Sequence, residues 1–418
     1  MHSENIDLTI CKSYDSIFSC YIRFANQSNC SMKVSSRILP IIIISQFCCT
    51  SLWFASNGVM GSLIQDFELS SNAMGNLTSA VQFGFITGTL SFAFFTIADR
   101  FSPSKVFFVS AVLGSLANLG LIWSGNTIIT LILSRFLTGF FLAGIYPVGM
   151  KIAADYYDIG LGKSLGYLVG ALVLGTALPH LLKDVTSSIP WMYVIVSTSI
   201  LAFLGGFLML MFVPDGPHRK SSQQLDITAF SKIFRNQKVR SAAFGYFGHM
   251  WELYAFWAFV PIILNEYKEY HAEAEFNTSL WSFVIIGVGF LSCIQGGIFS
   301  LKVGAKKVAI FSLTASGVCC LLFPMLFLFV PQSIFLSFLL FWGMVVISDS
   351  PMFSTLVAKN AQIQLKGTAL TLVNCIGFAI TILSIQTLSI LSNSFDSIWI
   401  YTVLFLGPVF GLYSLRKV

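Results

Sequence analysis

The sequence has 418 residues, of which 56% are hydrophobic and 10% are charged, and its formal net charge is +6. Soluble domains carry about a quarter charged residues, so this composition excludes a soluble protein and indicates a chain that crosses a membrane many times. The positive charge follows from where basic residues fall between the apolar stretches, and it does not indicate nucleic-acid binding.

Residues 1–37 form a polar first segment. Charged residues such as Glu4, Asp7 and Lys12 interrupt every short apolar run, which excludes a signal peptide with its unbroken apolar centre. We expect either a disordered cytoplasmic tail or a start site assigned too early. Met32 stands directly before Lys33 and the first span, which favours the later start.

From Ile38 onward, apolar stretches recur that are long enough to cross a bilayer as one helix. About twelve spans are predicted, at 38–62, 74–97, 104–124, 127–151, 162–182, 190–213, 241–264, 279–300, 306–329, 332–357, 367–391 and 396–415. The long interior loop follows Val213. We therefore predict an all-α membrane protein with two six-helix halves, 38–213 and 241–418, joined by a cytoplasmic linker at 214–240.

The loop lysines and arginines predict the orientation. If both termini are cytoplasmic, only Lys183 and Lys268 lie outside, where Glu266, Glu269, Glu273 and Glu275 surround Lys268. The positive-inside rule predicts this arrangement in a cell (inner or plasma) membrane. The cytoplasmic basic residues are then Arg100, Lys105, Lys151, Lys163, the group from Arg219 to Arg240, Lys302, Lys306, Lys307, Lys359, Lys366, Arg416 and Lys417.

Polar side chains without charge recur inside several spans. In the first span they form a stripe at helical spacing, with Gln46, Thr50, Trp53, Asn57 and Gly61. Gln82 in the second span and Asn374 in the eleventh are comparable. Amide and indole groups at this depth could bind a small substrate. Hydrogen bonding between helices is an equally common use of such residues.

The fourth predicted span contains a cation, Arg135, well inside its apolar stretch. Such a charge is costly in a bilayer, so we expect it to face a protein interior or a watery cavity and to have a function. The alternative is that Arg135 only pins two helices together by bonding their carbonyl groups. One helical stripe at fourfold spacing holds Arg135, Gly139, Ala143, Pro147 and Lys151, and its small residues favour close approach of a neighbouring helix.

Two weaker patterns occur, one in the fifth span and one in the linker. Gly162, Gly166 and Gly170 make a face suited to close packing. In the linker, apolar Ile227, Phe230, Ile233 and Phe234 share one side, with basic residues flanking them. That pattern predicts a short helix on the inner leaflet, although a plain linker fits nearly as well.

Glu252 and Asp349 are the acidic residues that fall inside spans. His249 and Glu252 are three positions apart in the seventh span, so we expect them to share a helical face. A carboxylate beside an imidazole suits a proton carrier, with His249 tuning Glu252; the alternative is that the two groups only satisfy one another. Asp349 precedes Ser350-Pro351 in the tenth span and could bind a proton, partner Arg135 or join a cytoplasmic gate.

The two halves show signs of an internal repeat. Pro147 and Pro351 lie in the fourth and tenth spans, 204 positions apart, and the same offset sets Leu372-Val373 on Leu168-Val169. Asp99, Arg100 and Lys105 follow the second span, and Gly297, Lys302, Gly304 and Lys306 occupy the corresponding stretch around the end of the eighth. Repeats of this kind flank a midplane site that opens to each side in turn.

With these motifs in view, the chain resembles the major facilitator superfamily from about Ile38 to the C-terminus. Asp99 and Arg100 match the acid and base of that family's loop between spans two and three, although Phe95 and Ser102 replace its glycines. Arg135 with Gly139 resembles a fourth-span signature linked in relatives to proton coupling. In the fifth span, Ala171 stands where the antiporter signature has proline. The resemblance implies secondary transport by alternating access, with the loop acting as an inner gate.

From these observations we expect a proton-coupled transporter of a small organic solute, and Arg135, as the sole predicted buried cation, favours an anionic one. The substrate and coupling residues are predicted to be Arg135, Glu252, His249, Trp53, Asn57, Gln82 and Asn374, and the gate residues Asp99, Arg100, Lys105, Asp349 and Lys302.

The alternatives are a drug/proton efflux antiporter, favoured by the 15% aromatic residues, and a nitrate/nitrite-type porter, which the resemblance disfavours because spans two and eight lack its arginines. A membrane enzyme is disfavoured because no nucleophile, metal or cofactor motif is present. We expect a monomer in the lipid bilayer, with no metal, cofactor or nucleic-acid partner.

Overall fold

The computed structural model describes residues 37–70, 72–157, 161–186, 188–219 and 230–416, and no strand occurs among them. Leu39–Val418 forms one compact unit. The predicted tail lies outside the described residues apart from Arg37. The helices are Ile38–Thr50, Ala55–Gly58, Met60–Asp66, Ala73–Phe94, Ile97–Arg100, Pro103–Leu119, Ile128–Leu142, Tyr146–Tyr156, Leu161–Val185, Met192–Phe212, Phe230–Arg235, Gln237–Tyr270, Thr278–Gly287, Gly289–Val303, Ala305–Phe329, Gln332–Val345, Ser350–Asn360, Lys366–Ser394 and Leu406–Leu415, with 3₁₀ segments at Gly120–Ile122, Ile363–Leu365 and Ile398–Phe405.

The all-α membrane fold with about twelve spans is confirmed. In the described part of the chain, eleven helical stretches are long and apolar enough to cross a membrane, and the shorter helix Ile38–Thr50 begins one further span. We number these spans one to twelve in chain order. Their ends agree with the predicted limits to within a few residues, except that span seven, Gln237–Tyr270, is longer at both ends.

The sequence did not reveal that several spans are broken. Span one unwinds over residues 51–54, span four over 143–145 and span ten over 346–349. In spans four and ten the helix resumes with a proline in its first turn, Pro147 or Pro351. Proline fits there because the first turn of a helix leaves its backbone N–H groups unbonded in any case.

The helix segments after these breaks repeat between the halves. Ser350 and Asn360 bound the second segment of span ten, and each lies 204 positions after its counterpart in Tyr146–Tyr156 of span four. Gln332, where span ten begins, lies 204 positions after Ile128 in span four. The offset read from the two prolines therefore also relates the helix boundaries around them.

Spans two and four pack with their backbones in contact. A Cβ atom added at Gly139 would lie 2.0 Å from the carbonyl oxygen of Val81, and one added at Gly84 would lie 2.0 Å from that of Phe136. Only glycine allows this approach, so the small-residue stripe of span four does bring a neighbouring helix close. Gly170 likewise meets the ring of Phe290 across spans five and eight.

The linker contains one described helix, Phe230–Arg235. Ile233 in this helix is 4% exposed, so it packs into the protein rather than facing a lipid leaflet. Asn236 then caps span seven, because its Oδ1 accepts bonds from the backbone N–H groups of Lys238 and Val239. Ile227 lies outside the described residues.

Candidate functional site

A cavity of about 40 Å³, room for a few water molecules, lies between the first six spans and the last six. Spans four, five, seven, ten and eleven line it, and its lining in the described part of the chain has no charged side chain. Its polar groups come from Tyr146, Tyr246, Tyr254, Ser350, Ser354 and Asn374. The cavity is therefore a neutral site with hydroxyl and amide groups.

Tyr254 and Phe378 of this lining pack against Trp53 and Phe85, and we call these four rings the aromatic layer. The ring of Trp53 stacks on that of Phe378, with centroids 5.5 Å apart, and lies 5.9 Å from that of Tyr254. Phe85 contacts Phe378 at 4.6 Å. Because Trp53 and Phe85 belong to the first six spans and the other two rings to the last six, the layer joins the halves.

Hydrogen bonds also join the halves at the ends of the spans that are predicted to face outward. Asn393 donates to Asn72 over 2.6 Å, and Gln386 donates to Ser79 over 2.9 Å, so spans two and eleven are linked. Asn277 donates to Asp184, which links spans eight and five. These bonds lie toward the same ends of the spans as the aromatic layer, so polar and aromatic contacts both link the halves there.

Asn374 is the one predicted substrate residue that lines the cavity. Its Oδ1 accepts a hydrogen bond of 2.8 Å from the hydroxyl group of Tyr246, another lining residue. This bond leaves the amide nitrogen of Asn374 available for a solute. Tyr146, Ser350 and Ser354 gave no signal in the sequence, because hydroxyl groups in a span are usually bonded to their own helix.

His249 pairs with Asp349. Nδ1 of His249 lies 2.8 Å from Oδ1 of Asp349, and both side chains are 1% exposed. Asp349 occupies the break in span ten, directly before the lining residues Ser350 and Pro351. Of the roles predicted for Asp349, the structure provides neither contact with Arg135 nor contact with the charged loop after span two; its partner is the histidine.

The predicted pairing of His249 with Glu252 is wrong. Glu252 is 1% exposed, and its Oε1 accepts bonds from Trp342 Nε1 at 2.6 Å and Cys320 Sγ at 3.5 Å. Its Oε2 accepts a bond of 2.8 Å from Ser316. A separation of three residues turns a side chain about 60° around the helix, so the two side chains face different neighbours. Glu252 ties span seven to spans nine and ten, away from the cavity lining.

Arg135 is completely buried, and backbone carbonyl groups are its main partners. Its Nη1 donates to the carbonyl oxygen of Leu52 over 3.1 Å and to Oδ1 of Asn118 over 3.4 Å, and its Nη2 donates to the carbonyl oxygen of Trp53. Among the described residues, it contacts no carboxylate. The guanidinium is therefore bonded to the carbonyl groups of a neighbouring span. This arrangement matches the alternative interpretation of the sequence, in which Arg135 pins two helices together.

The remaining predicted residues of spans one and two lie together beyond the aromatic layer. Asn57 donates from Nδ2 to Thr78 Oγ1 over 2.9 Å, and Gln82 is one helical turn from Thr78. Asn57 Oδ1, both polar atoms of Gln82 and Trp53 Nε1 are buried without a hydrogen-bond partner among the described residues. Buried polar groups of this kind are normally satisfied by water or a ligand.

Of the predicted gate residues of the first half, Asp99 belongs to a charged cluster. Asp99 and Lys151 make an ion pair of 2.8 Å, and Arg219 donates to the carbonyl oxygens of Asp99 and Phe101. Arg100 lies outside this cluster's bonds: its Nε donates a hydrogen bond of 3.1 Å to Thr96 Oγ1, one turn earlier in the chain. Lys105 and Lys302 are exposed. Sequence reasoning noted Lys151 and Arg219 only as cytoplasmic charges and missed that they hold Asp99.

Among the described residues, no three His, Cys, Asp or Glu side chains converge as metal ligands would. The site therefore consists of a neutral cavity, the His249–Asp349 pair beside it and two buried charges that hold spans together. The first of these charges, Arg135, joins spans one, three and four; the second, Glu252, joins spans seven, nine and ten.

Comparison with known proteins identifies the fold. The family model described as the Major Facilitator Superfamily matches residues 42–385. A solved structure of the proton:xylose symporter XylE bound to 6-bromo-6-deoxy-D-glucose is 15% identical, with a TM-score of 0.70 over 92% of this chain and 95% of its own. A D-xylose-proton symporter structure is 16% identical, with a TM-score of 0.72 over 91% and 97%. A search of curated protein sequences found no match.

Proposed function

The chain belongs to the major facilitator superfamily, and on that premise we propose that this transporter moves a small neutral solute bearing hydroxyl groups, together with protons, by alternating access. The observation that carries the proposal is the position of a buried carboxylate and imidazole directly beside an uncharged cavity. Ser350 follows Asp349 in the chain, and Tyr246 and Met250 flank His249 on span seven; all three flanking residues line the cavity.

The neutral lining supports an uncharged solute. Hydroxyl and amide groups hydrogen-bond solute hydroxyl groups in either direction, and the faces of Tyr254 and Phe378 suit the C–H groups of a sugar ring or polyol. The earlier expectation of an anionic solute depended on Arg135. That guanidinium already bonds two carbonyl groups and Asn118, and it does not line the cavity.

The similar solved structures are titled as proton:xylose symporters, which makes sugars and polyols the first solutes to test. At 15% and 16% identity they share the fold with this chain, and the solute proposed here therefore depends on the residues of its own cavity. Proton coupling is proposed on the same basis, from the His249–Asp349 pair.

In the proposed coupling, a proton binds to the His249–Asp349 pair and changes its net charge. A ligand shifts an equilibrium only through its different affinity for the two states. The pair joins span seven to the break in span ten, a place where the backbone can bend. Movement there would alter the positions of Ser350 and Pro351, so proton binding and solute binding would act on the same segment.

A drug/proton antiporter is the second candidate. The apolar part of the lining, which includes Met150, Leu165, Val169 and Met250, favours a lipophilic compound. Such a compound would gain from burial of apolar surface and would need few of the six polar groups.

Purified protein in proteoliposomes tests both candidates. Counterflow of labelled pentoses, hexoses and polyols is measured beside that of labelled lipophilic cations, with and without a pH gradient. We expect saturable counterflow of a neutral polyhydroxylated solute and its accumulation under the gradient. Movement of lipophilic cations alone would support the second candidate and reject the first.

A further inference from the structure

Span one has no proline at its break, yet it unwinds at residues 51–54, between Thr50 and Ala55. The unwound residues include Leu52 and Trp53, whose carbonyl oxygens both accept bonds from Arg135. Unwinding frees carbonyl groups from the helix, and in an apolar environment such groups need another donor. The planar guanidinium offers donors in a fixed fork that fits two successive carbonyl groups.

The guanidinium is itself anchored on its other side. Arg135 Nη1 also donates to Asn118 Oδ1, and the amide nitrogen of Asn118 lies within hydrogen-bond distance of Thr198 Oγ1, at 3.2 Å, and of Ser199 Oγ, at 3.0 Å. Spans three, four and six therefore fix the guanidinium, and through it they fix the unwound segment of span one.

The segment held in this way carries a ring of the aromatic layer. Trp53 is completely buried, and its ring stacks on Phe378 and approaches Tyr254, both from the opposite half of the protein. The carbonyl oxygen bonded by Nη2 of Arg135 belongs to the same residue as this ring. The backbone position at residue 53 therefore determines whether the ring reaches the opposite half.

We propose that Arg135 is a positioning residue that holds Trp53 in the aromatic layer and so keeps the cavity closed on that side. It binds neither the solute nor the transported proton. When the halves separate there, the contacts of Trp53 with Phe378 and Tyr254 break, while the bonds of Arg135 remain, because all of its partners belong to the first six spans. The inference rests on alternating access but not on the proposed solute or on proton coupling.

The test measures access to the cavity directly and requires no known solute. A single cysteine at the lining position, Ser354→Cys in a cysteine-depleted full-length chain, is labelled with a membrane-impermeant thiol reagent. The reagent is applied to right-side-out and to inside-out vesicles in turn. The variants carry in addition Arg135→Ala, Trp53→Ala or both, and Lys238→Ala, which removes an exposed cation, is the matched control.

From the side of the aromatic layer, Arg135→Ala should raise the labelling rate at least tenfold, because it removes three hydrogen bonds of a charged group and a single such bond corresponds to about a factor of ten. Trp53→Ala should raise it at least as much, and Lys238→Ala should leave it unchanged. If Arg135 acts through Trp53, the double variant is labelled no faster than Trp53→Ala alone. Independent, multiplying effects of the two substitutions, or no effect of Arg135→Ala, would overturn the proposal.

Asn118→Ala provides a second route if loss of Arg135 prevents folding. It removes one acceptor from the guanidinium and leaves the charge and both carbonyl bonds in place. A smaller rise in labelling is expected in the otherwise unchanged chain, and none in the Trp53→Ala background. A rise of equal size in both backgrounds would mean that this network acts on access without Trp53. If labelling follows the proposal while the chain without substitutions moves no polyol, this inference stands and the proposed solute is rejected.

Discussion

His249 and Asp349 lie 2.8 Å apart across spans seven and ten, and each is 1% exposed. Two aromatic side chains pack against the pair: Tyr246 on span seven stacks with His249, and Phe353 on span ten lies 5.8 Å from its ring. A carboxylate and an imidazole buried together can share or release a proton according to their surroundings. The pair is therefore the proposed coupling site, and Glu252 is not.

We predict that Asp349→Asn abolishes accumulation driven by a pH gradient while counterflow without a gradient is retained. Asparagine keeps the shape of the side chain and can still bond His249, but it cannot bind and release a proton. Both fluxes are measured in the same reconstituted vesicles. Glu252→Gln is the matched control and should retain gradient-driven accumulation. If Glu252→Gln abolished accumulation and Asp349→Asn retained it, the coupling role would belong to Glu252.

Glu252 is predicted to matter for stability. Glutamine at this position can accept the bond from Trp342 and donate to Ser316, so Glu252→Gln should unfold at nearly the same temperature as the unchanged protein. Glu252→Ala removes the acceptor of both groups and leaves a cavity, at an expected loss of about 2–4 kcal/mol. Thermal unfolding in detergent measures the difference. Equal stability of the alanine and glutamine variants would show that the three bonds contribute little.

The backbone contact between spans two and four predicts the effect of one added methyl group. Gly139→Ala places Cβ against the carbonyl group of Val81, so the helices must move apart, at an expected loss of about 1–3 kcal/mol. Gly61→Ala is the matched control, because no atom lies within 4 Å of its added Cβ and alanine favours helix. Unfolding of both variants is followed in the same detergent. Similar stability of the two would contradict the close packing.

The orientation stays a prediction, and two exposed positions test it. Single cysteines at His218 and Glu273 are introduced into a cysteine-depleted chain, since both side chains are exposed and lie on opposite predicted sides of the membrane. An impermeant thiol reagent added to intact cells should label the cysteine at 273 and not that at 218. Labelling at 218 from outside would reverse the predicted topology.

The sequence by itself determined the membrane fold, because each span must satisfy its own backbone hydrogen bonds in lipid and so needs a long apolar stretch. Length and apolarity therefore located the spans to within a few residues, apart from span seven, which is longer at both ends. The close approach of a helix to the small-residue stripe of span four could be predicted for a related reason, since side chains at fourfold spacing lie on one face of a helix. The offset between Pro147 and Pro351 likewise appeared in the helix boundaries around them.

Only the tertiary structure decided which buried polar groups meet. His249 and Glu252 are close in the chain, yet the first bonds Asp349 and the second bonds Ser316 and Trp342. Arg135 has no carboxylate among its described partners, and it bonds carbonyl groups of the segment where span one unwinds. Helical spacing states which face a side chain occupies, but its partner depends on how the spans pack. A buried charge must bond whatever the neighbouring span presents, and no local pattern encodes that neighbour.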